Sequence, residues 1–295
     1  MKQDKKILIT GSEGFIGKEL SKKLSDEGNE VFCVDILNGY DLKDKNEVDK
    51  LPEVDIVIHL AAYNGTKWFY EKPYDVCLDN LLPTIYLLER YKDSVELFVF
   101  TGTCESYAGA LNMSNDFLPT DENVPLVVDD IKNPRWSYGG SKIGNEINVI
   151  AAHEQFNMNY QILRLHNIYG PTQKDHFFPE FIDRVKKNDF SLFGHQNTRC
   201  FLYIDDAIDY MYDLTFNKDA VNSIINIGSG DEISIFDAAN LILKKMGIKN
   251  SLICKDAPKG SISRRIPCLK KLEEFCGKRR IIPLEKGIEK YLEEI

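Results

Sequence analysis

The 295-residue sequence has no CxxC pair, no grouping of its 7 cysteines with its 5 histidines, no run of basic residues and no long uninterrupted apolar stretch. The first two absences argue against a structural zinc site or a disulfide framework, so no metal is expected and a reducing compartment is. With 37 Lys and Arg against 46 Asp and Glu, the formal net charge is −9. Nucleic acid and anionic membrane surfaces are therefore poor partners, and any phosphate must be held by a local site. No apolar run approaches the ~18 residues of a membrane span. The opening MKQDKKILITG passes from a charged leader straight into a strand-like stretch, without the apolar core of a secretory signal, and a cytoplasmic location is the expectation.

Apolar runs of strand length do occur, at 7–10, 31–35, 54–62, 97–103 and 160–165, and longer segments of helical period separate them. Strands apolar throughout belong to a sheet buried on both faces, and their alternation with helices belongs to parallel βα units. The fold class is thus α/β, a doubly wound parallel sheet of the dinucleotide-binding Rossmann type. Helices are predicted over 15–28, 44–51, 74–93 and 134–157, the last opening with Asn133 as cap and Pro134 in the first turn. Beyond about residue 166 the rhythm becomes irregular. Residues 1–165 read as the dinucleotide-binding domain and 166–295 mainly as a smaller substrate-binding lobe, with about 199–227 returning to the first part.

The stretch ILITGSEGFIGKEL sets Gly11, Gly14 and Gly17 between the first strand and the first helix, where backbone N–H groups and the positive helix end can approach a pyrophosphate. Asp35, at the end of the second strand, is suited to bind ribose hydroxyls and would repel a 2′-phosphate, which favours NAD over NADP. The bland alternative is a structural turn, with Asp35 as a loop cap. In WSYGGSKIGNE, Tyr138 and Lys142 share a helix face at a spacing of four. With 14 Tyr and 37 basic residues such a pair arises by chance as well, as Tyr63 and Lys67 show, so context decides.

The spacing GxxGxxG, together with HLAA at 59–62, YGGSK at 138–142 and RLHNIYGP at 164–171, resembles the extended short-chain dehydrogenase/reductase family, in its nucleotide-sugar epimerase, dehydratase and decarboxylase group. The resemblance extends to KPYDVCLDNLLPT (72–84) and RCFLYIDDA (199–207). It implies that Phe15 and Ile16 line the pyrophosphate loop, that Asp41 and Leu42 flank the adenine, and that Leu60, Ala61 and Ala62 line the cleft. Asn80 then contacts the cofactor and His166 lies near the nicotinamide. Phe15 and Leu60 read equally well as core, and His166 as a packed histidine without a proton-transfer role.

For the chemistry the resemblance implies Tyr138 as the group that takes the sugar's hydroxyl proton, Lys142 as the ammonium that eases its ionisation, and Thr103 as the hydroxyl that orients the substrate. Hydride passes to NAD, most often from C4. Thr103-Cys104-Glu105 keeps the glutamate of the family's dehydratases and decarboxylases but has Cys where a dehydratase has its acid. Glu105 then reads as a base or as a polar group at the cleft mouth, and Cys104 as a small buried residue. A nucleotide-diphosphate sugar is the implied partner, met by Asn167, by Arg199 and by Arg264 or Arg265. Phe177 and Phe178 read as base-pocket lining or as core. A homodimer or higher homo-oligomer would pair through 74–93 and 134–157, with Ile85, Leu88, Ile147 and Ile150 on the outer faces.

Overall fold

The computed structural model describes residues 4–257 and 261–295. Six parallel strands form the main sheet: β1 (Lys6–Thr10), β2 (Glu30–Val34), β3 (Ile56–His59), β4 (Leu97–Thr103), β5 (Tyr160–Leu165) and β6 (Ser223–Ile227). Their order is β6-β5-β4-β3-β1-β2, so the winding reverses between β1 and β3. A crevice opens at that reversal, beyond the carboxyl ends of the strands. Successive residues face opposite sides of the sheet. Ile7 and Ile9 join Ile58, Val99 and much of the C-terminal half in one core, while Leu8 joins Val57, Phe98 and Phe100 in a second.

Helix α1 (Phe15–Asp26) buries Gly17, Leu20, Ser21 and Leu24, a single stripe at helical spacing. Helices α2 (Pro73–Tyr91) and α3 (Trp136–Phe156) cover the other side, Leu87, Tyr91 and Val149 reaching the second core. Proline opens α2, where its missing N–H costs nothing. Helix α4 (Ile204–Phe216) packs beside α1 and leads into the sixth strand of the sheet. The remaining C-terminal segments build three small sheets and the helices Phe177–Lys186, Ile235–Lys245, Lys270–Cys276 and Leu284–Glu293.

Several expectations shift. The third strand ends at His59, and Leu60 and Ala61 beyond it pass close against Gly11. Asn133 caps a turn and not the helix: its Oδ1 accepts from Arg135 N (3.1 Å), and α3 begins only at Trp136. Phe178 is a core residue, stacked on Tyr169 at 4.3 Å, and Phe177 packs on the same cluster. Leu88 is also core, whereas Ile147 is 62 % exposed. All seven cysteines are free thiols.

Candidate active site

The loop after β1 is built on missing side chains. Gly11 has φ +71°, and a Cβ on it would stand 2.7 Å from Ala61 N. A Cβ on Gly17 would collide with the Gly11 carbonyl. Gly14 caps α1 without a side-chain hydrogen bond, so the helix's first amides face the crevice beside it. Phe15 and Ile16 are half-buried against the core, as is Leu60. Ala61 is half-buried and Ala62 exposed. Asp35 does double work at the end of β2: its Oδ2 accepts from Glu13 N at 3.0 Å, steadying the glycine loop, and its Oδ1 accepts from Leu37 N at 2.9 Å, capping the next turn. Asp41 Oδ1 accepts from Lys43 N, and Leu42 is buried in the second core. Asn80 is tied to the protein at both ends, accepting from Tyr63 N (2.8 Å) and donating to Ser141 Oγ (3.2 Å). This loop, with its cradle that side chains would fill, suits a dinucleotide.

At the end of β4 the catalytic candidates converge. Tyr138 lies on α3, 7 % exposed, with its ring stacked on Phe69 at 4.9 Å and the Thr103 side chain near enough to favour its ionised form. Thr103 Oγ1 accepts from Glu105 N at 3.2 Å, which leaves its own proton to turn toward Tyr138 or a ligand. One turn on, the Lys142 ammonium donates to Thr101 O at 2.9 Å and sits 4.8 Å from the centre of the Phe100 ring. Burial pushes Lys142 down to about 8, with Glu146 acting against it. The phenol departs from the sequence expectation. Burial pushes Tyr138 above its ordinary value, the Thr103 side chain offsets only part of this, and Glu105 and Cys104 add to the rise. In the folded chain Tyr138 therefore rests as a phenol.

Glu105 also differs from a free base. It accepts from Arg135 Nε (2.8 Å) and Nη2 (2.6 Å) through one oxygen and pairs with Arg265 Nη1 (2.5 Å) through the other. Burial works to raise its carboxyl, but Arg265 and Arg135 overturn that and hold it at about 2. Arg265, 6 % exposed, also donates to Cys104 Sγ (3.5 Å), and its Nε and Nη2 are buried without a partner among the described residues. Half-buried Arg199 donates to Thr198 O at 2.7 Å, and its withdrawal from water together with the Arg265 charge pushes it down to about 9. Arg264, next to Arg265 on a short strand, points the other way and forms a bidentate pair with Glu232 (2.8 and 2.8 Å). Asn167, at φ +40°, donates weakly to Cys200 O. His166 is buried and bonded to Asn226 Oδ1 (3.1 Å), and burial holds it at about 3, so it is neutral and set back from the cleft.

Arg135 was missed in the sequence, where a single arginine before the helix carries no pattern. The stacking of Phe69 on Tyr138 has no local signal either. Among the described residues no cluster suited to a metal ion occurs, and no helix is long and apolar enough to cross a membrane.

A parallel sheet with a glycine loop after its first strand, and a Tyr/Lys/Thr set at the end of its fourth, is the arrangement that a nucleotide-dependent oxidoreductase chemistry would need. More particularly, the chain belongs to the NAD dependent epimerase/dehydratase family, whose model matches residues 7–228. It is 33% identical over 267 residues to a dTDP-D-glucose 4,6-dehydratase of Dictyostelium discoideum, covering 81% of this chain and 61% of that protein. It is 31% identical over 309 residues to a putative UDP-glucose 4-epimerase of Methanocaldococcus jannaschii, covering 96% of each. Among solved structures, the UDP-glucose 4-epimerase of Thermotoga maritima superposes with a TM-score of 0.87 at 24% identity, over 98% of each chain. The chain is thus an NAD-dependent enzyme of the nucleotide-sugar-modifying type, whose relatives are epimerases, dehydratases and decarboxylases.

Proposed function

We propose that the protein oxidises a ring alcohol of a nucleotide-diphosphate sugar, at C4, and that the net reaction is either epimerisation or release of a 4-keto sugar. The observation that carries this reading is the burial together of Tyr138, Thr103 and Lys142 at the carboxyl end of β4, with Lys142 one helical turn from Tyr138. NAD supplies the hydride acceptor when bound. The glycine loop, with Phe15 and Ile16, holds its pyrophosphate and Asp35 its ribose hydroxyls, while Asp41 and Leu42 border the adenine. Leu60 to Ala62 line the wall between, and Asn80 fixes that wall through Tyr63.

Thr103 orients the sugar hydroxyl, and the proton passes to Tyr138 Oη. Because burial favours the neutral phenol, Tyr138 must first pass its own proton to solvent, and Thr103 is the neighbour that favours the phenolate left behind. Glu105 is here reassigned from base to anchor, since a carboxylate held at about 2 between two guanidinium groups is a weak proton acceptor. Asn167 and Arg199 meet the nucleotide sugar from the C-terminal side. His166 takes no proton.

One observation favours a narrower version in which the sugar carries its own carboxylate and loses it as carbon dioxide after oxidation. Two arginines, Arg135 and Arg265, grip the carboxylate of Glu105, a third, Arg199, lies within its field, and two buried nitrogens of Arg265 have no partner among the described residues. Purified protein incubated with neutral and uronic-acid nucleotide sugars separates these outcomes by product mass and stereochemistry. Tyr138→Phe should lower turnover by ~10³-fold with cofactor still bound; a near-normal rate removes Tyr138 from the reaction.

A further inference from the structure

Behind the cleft, β4 and α3 enclose a second charged group that the reaction as described leaves unused. Glu146 follows Lys142 by one helical turn, so both project from the same face of α3. Its carboxylate accepts from Arg164 Nε (3.1 and 3.1 Å) and Nη2 (2.6 Å), and both residues are almost wholly buried. Arg164 Nη1 goes on to Tyr107 Oη (2.6 Å) and Glu122 O (2.9 Å), and Tyr107 donates to Asn226 Oδ1 (2.9 Å). The chain makes room for this pair at Gly102: a Cβ there would lie 2.8 Å from Glu146 Oε1 and 3.0 Å from Arg164 Cγ. Gly102 is the residue just before Thr103, so the carboxylate sits directly under the reacting end of β4.

We infer that Glu146, locked by Arg164 through the gap at Gly102, is a positioning residue that keeps the neighbouring Lys142 a cation aimed into the cleft. The surroundings of Lys142 leave few other sources of that effect. From β4 it meets Thr101 O and the Phe100 ring, and on α3 Tyr138 and Glu146 stand one turn to either side of it. From β3 it meets His59, which is bonded to Thr10 Oγ1 (2.7 Å) and Thr84 Oγ1 (2.9 Å) and held neutral, at about 3, by burial and by Lys142 itself. Glu146 is the carboxylate that raises Lys142 against its burial. Arg164 supplies the partner without which a carboxylate at this depth would be buried and unpaired.

The test reads Lys142 directly. In protein labelled at lysine ¹³Cε, with the Lys142 signal assigned by its loss in Lys142→Met, the midpoint should fall near 8 in the parent. In the charge-balanced Glu146→Gln/Arg164→Met variant the midpoint should move about one pH unit lower, and the alkaline limb of kcat should move with it. Gly102→Ala serves if that variant fails to fold, because it displaces the carboxylate while keeping both charges, and the same downward shift is expected. A folded variant whose Lys142 midpoint stays where it was overturns the inference. The inference rests on the assignment of Lys142 to the reaction, but the midpoint is read without turnover. Inactivity of the parent toward every nucleotide sugar would count against that assignment, and only the midpoint counts against this one.

Discussion

Adjacent residues of β4 support two ion clusters of opposite character. Under Gly102, Glu146 and Arg164 form a closed pair: both carboxylate oxygens and all three guanidinium nitrogens of Arg164 have partners. Beyond Thr103, Glu105 is shared by Arg135 and Arg265, Arg199 stands close by, and two nitrogens of Arg265 have no acceptor among the described residues. A satisfied buried pair belongs to the scaffold, since nothing is left for a ligand to bind. A cluster with surplus positive charge and orphaned donors is costly on its own and becomes favourable only when an anion arrives.

The sharpest way to break this contrast is to remove one arginine from each cluster. Arg164→Met strands a buried carboxylate and should cost about 3–5 kcal/mol, measured by urea unfolding at neutral pH. A loss as small as that of a surface substitution would mean that the pair is not part of the scaffold. The open cluster should instead show itself through acid. Glu105 is held at about 2, below its ordinary 4.5, so it adds stability that is complete above about pH 4.5 and lost as pH falls toward 2. The full contribution is about 3 kcal/mol. The difference in unfolding free energy between wild type and Glu105→Gln should therefore shrink from pH 6 to pH 3. A difference that stays constant with pH would show that the carboxylate is not held by its arginines.

Arg265→Met removes one of the two guanidinium partners of Glu105 but leaves Arg135 in place, and should change stability less than Arg164→Met does. Its effect should fall on recognition. Turnover of a uronic-acid nucleotide sugar should drop by ~30-fold more than that of the neutral sugar, about 2 kcal/mol of lost discrimination. Equal losses on both substrates would place Arg265 on the shared diphosphate and favour the neutral-sugar reading.

The same contrast explains what the sequence disclosed. The glycine loop and the strands were legible because each depends on local pattern: Gly11, Gly14 and Gly17 stand between a strand and a helix, and Ile7 to Ile9 alternate between two cores. Glu146 was within reach too, since its spacing from Lys142 is helical. The open cluster was not. Arg135, Glu105 and Arg265 come from segments far apart in the chain, and only the fold makes them neighbours. The direction of the Tyr138 shift also escaped, because a spacing of four reports that a phenol and an ammonium are close, while their removal from water is set by Phe69 and the rest of the packing.

Arg264 and Arg265 give the smallest and most exacting comparison, because sequence alone treats them as equivalent. On a strand, neighbours face opposite ways, and here one guanidinium reaches Glu105 in the cleft while the other lies against Glu232 at the surface. The surface pair is bidentate but solvated, so Arg264→Ala should change stability by ~0.5 kcal/mol and leave KM for every nucleotide sugar unchanged. Should it raise KM as much as Arg265→Met does, the two arginines act together on the ligand, and the open cluster extends past the cleft to the outer edge of the lobe.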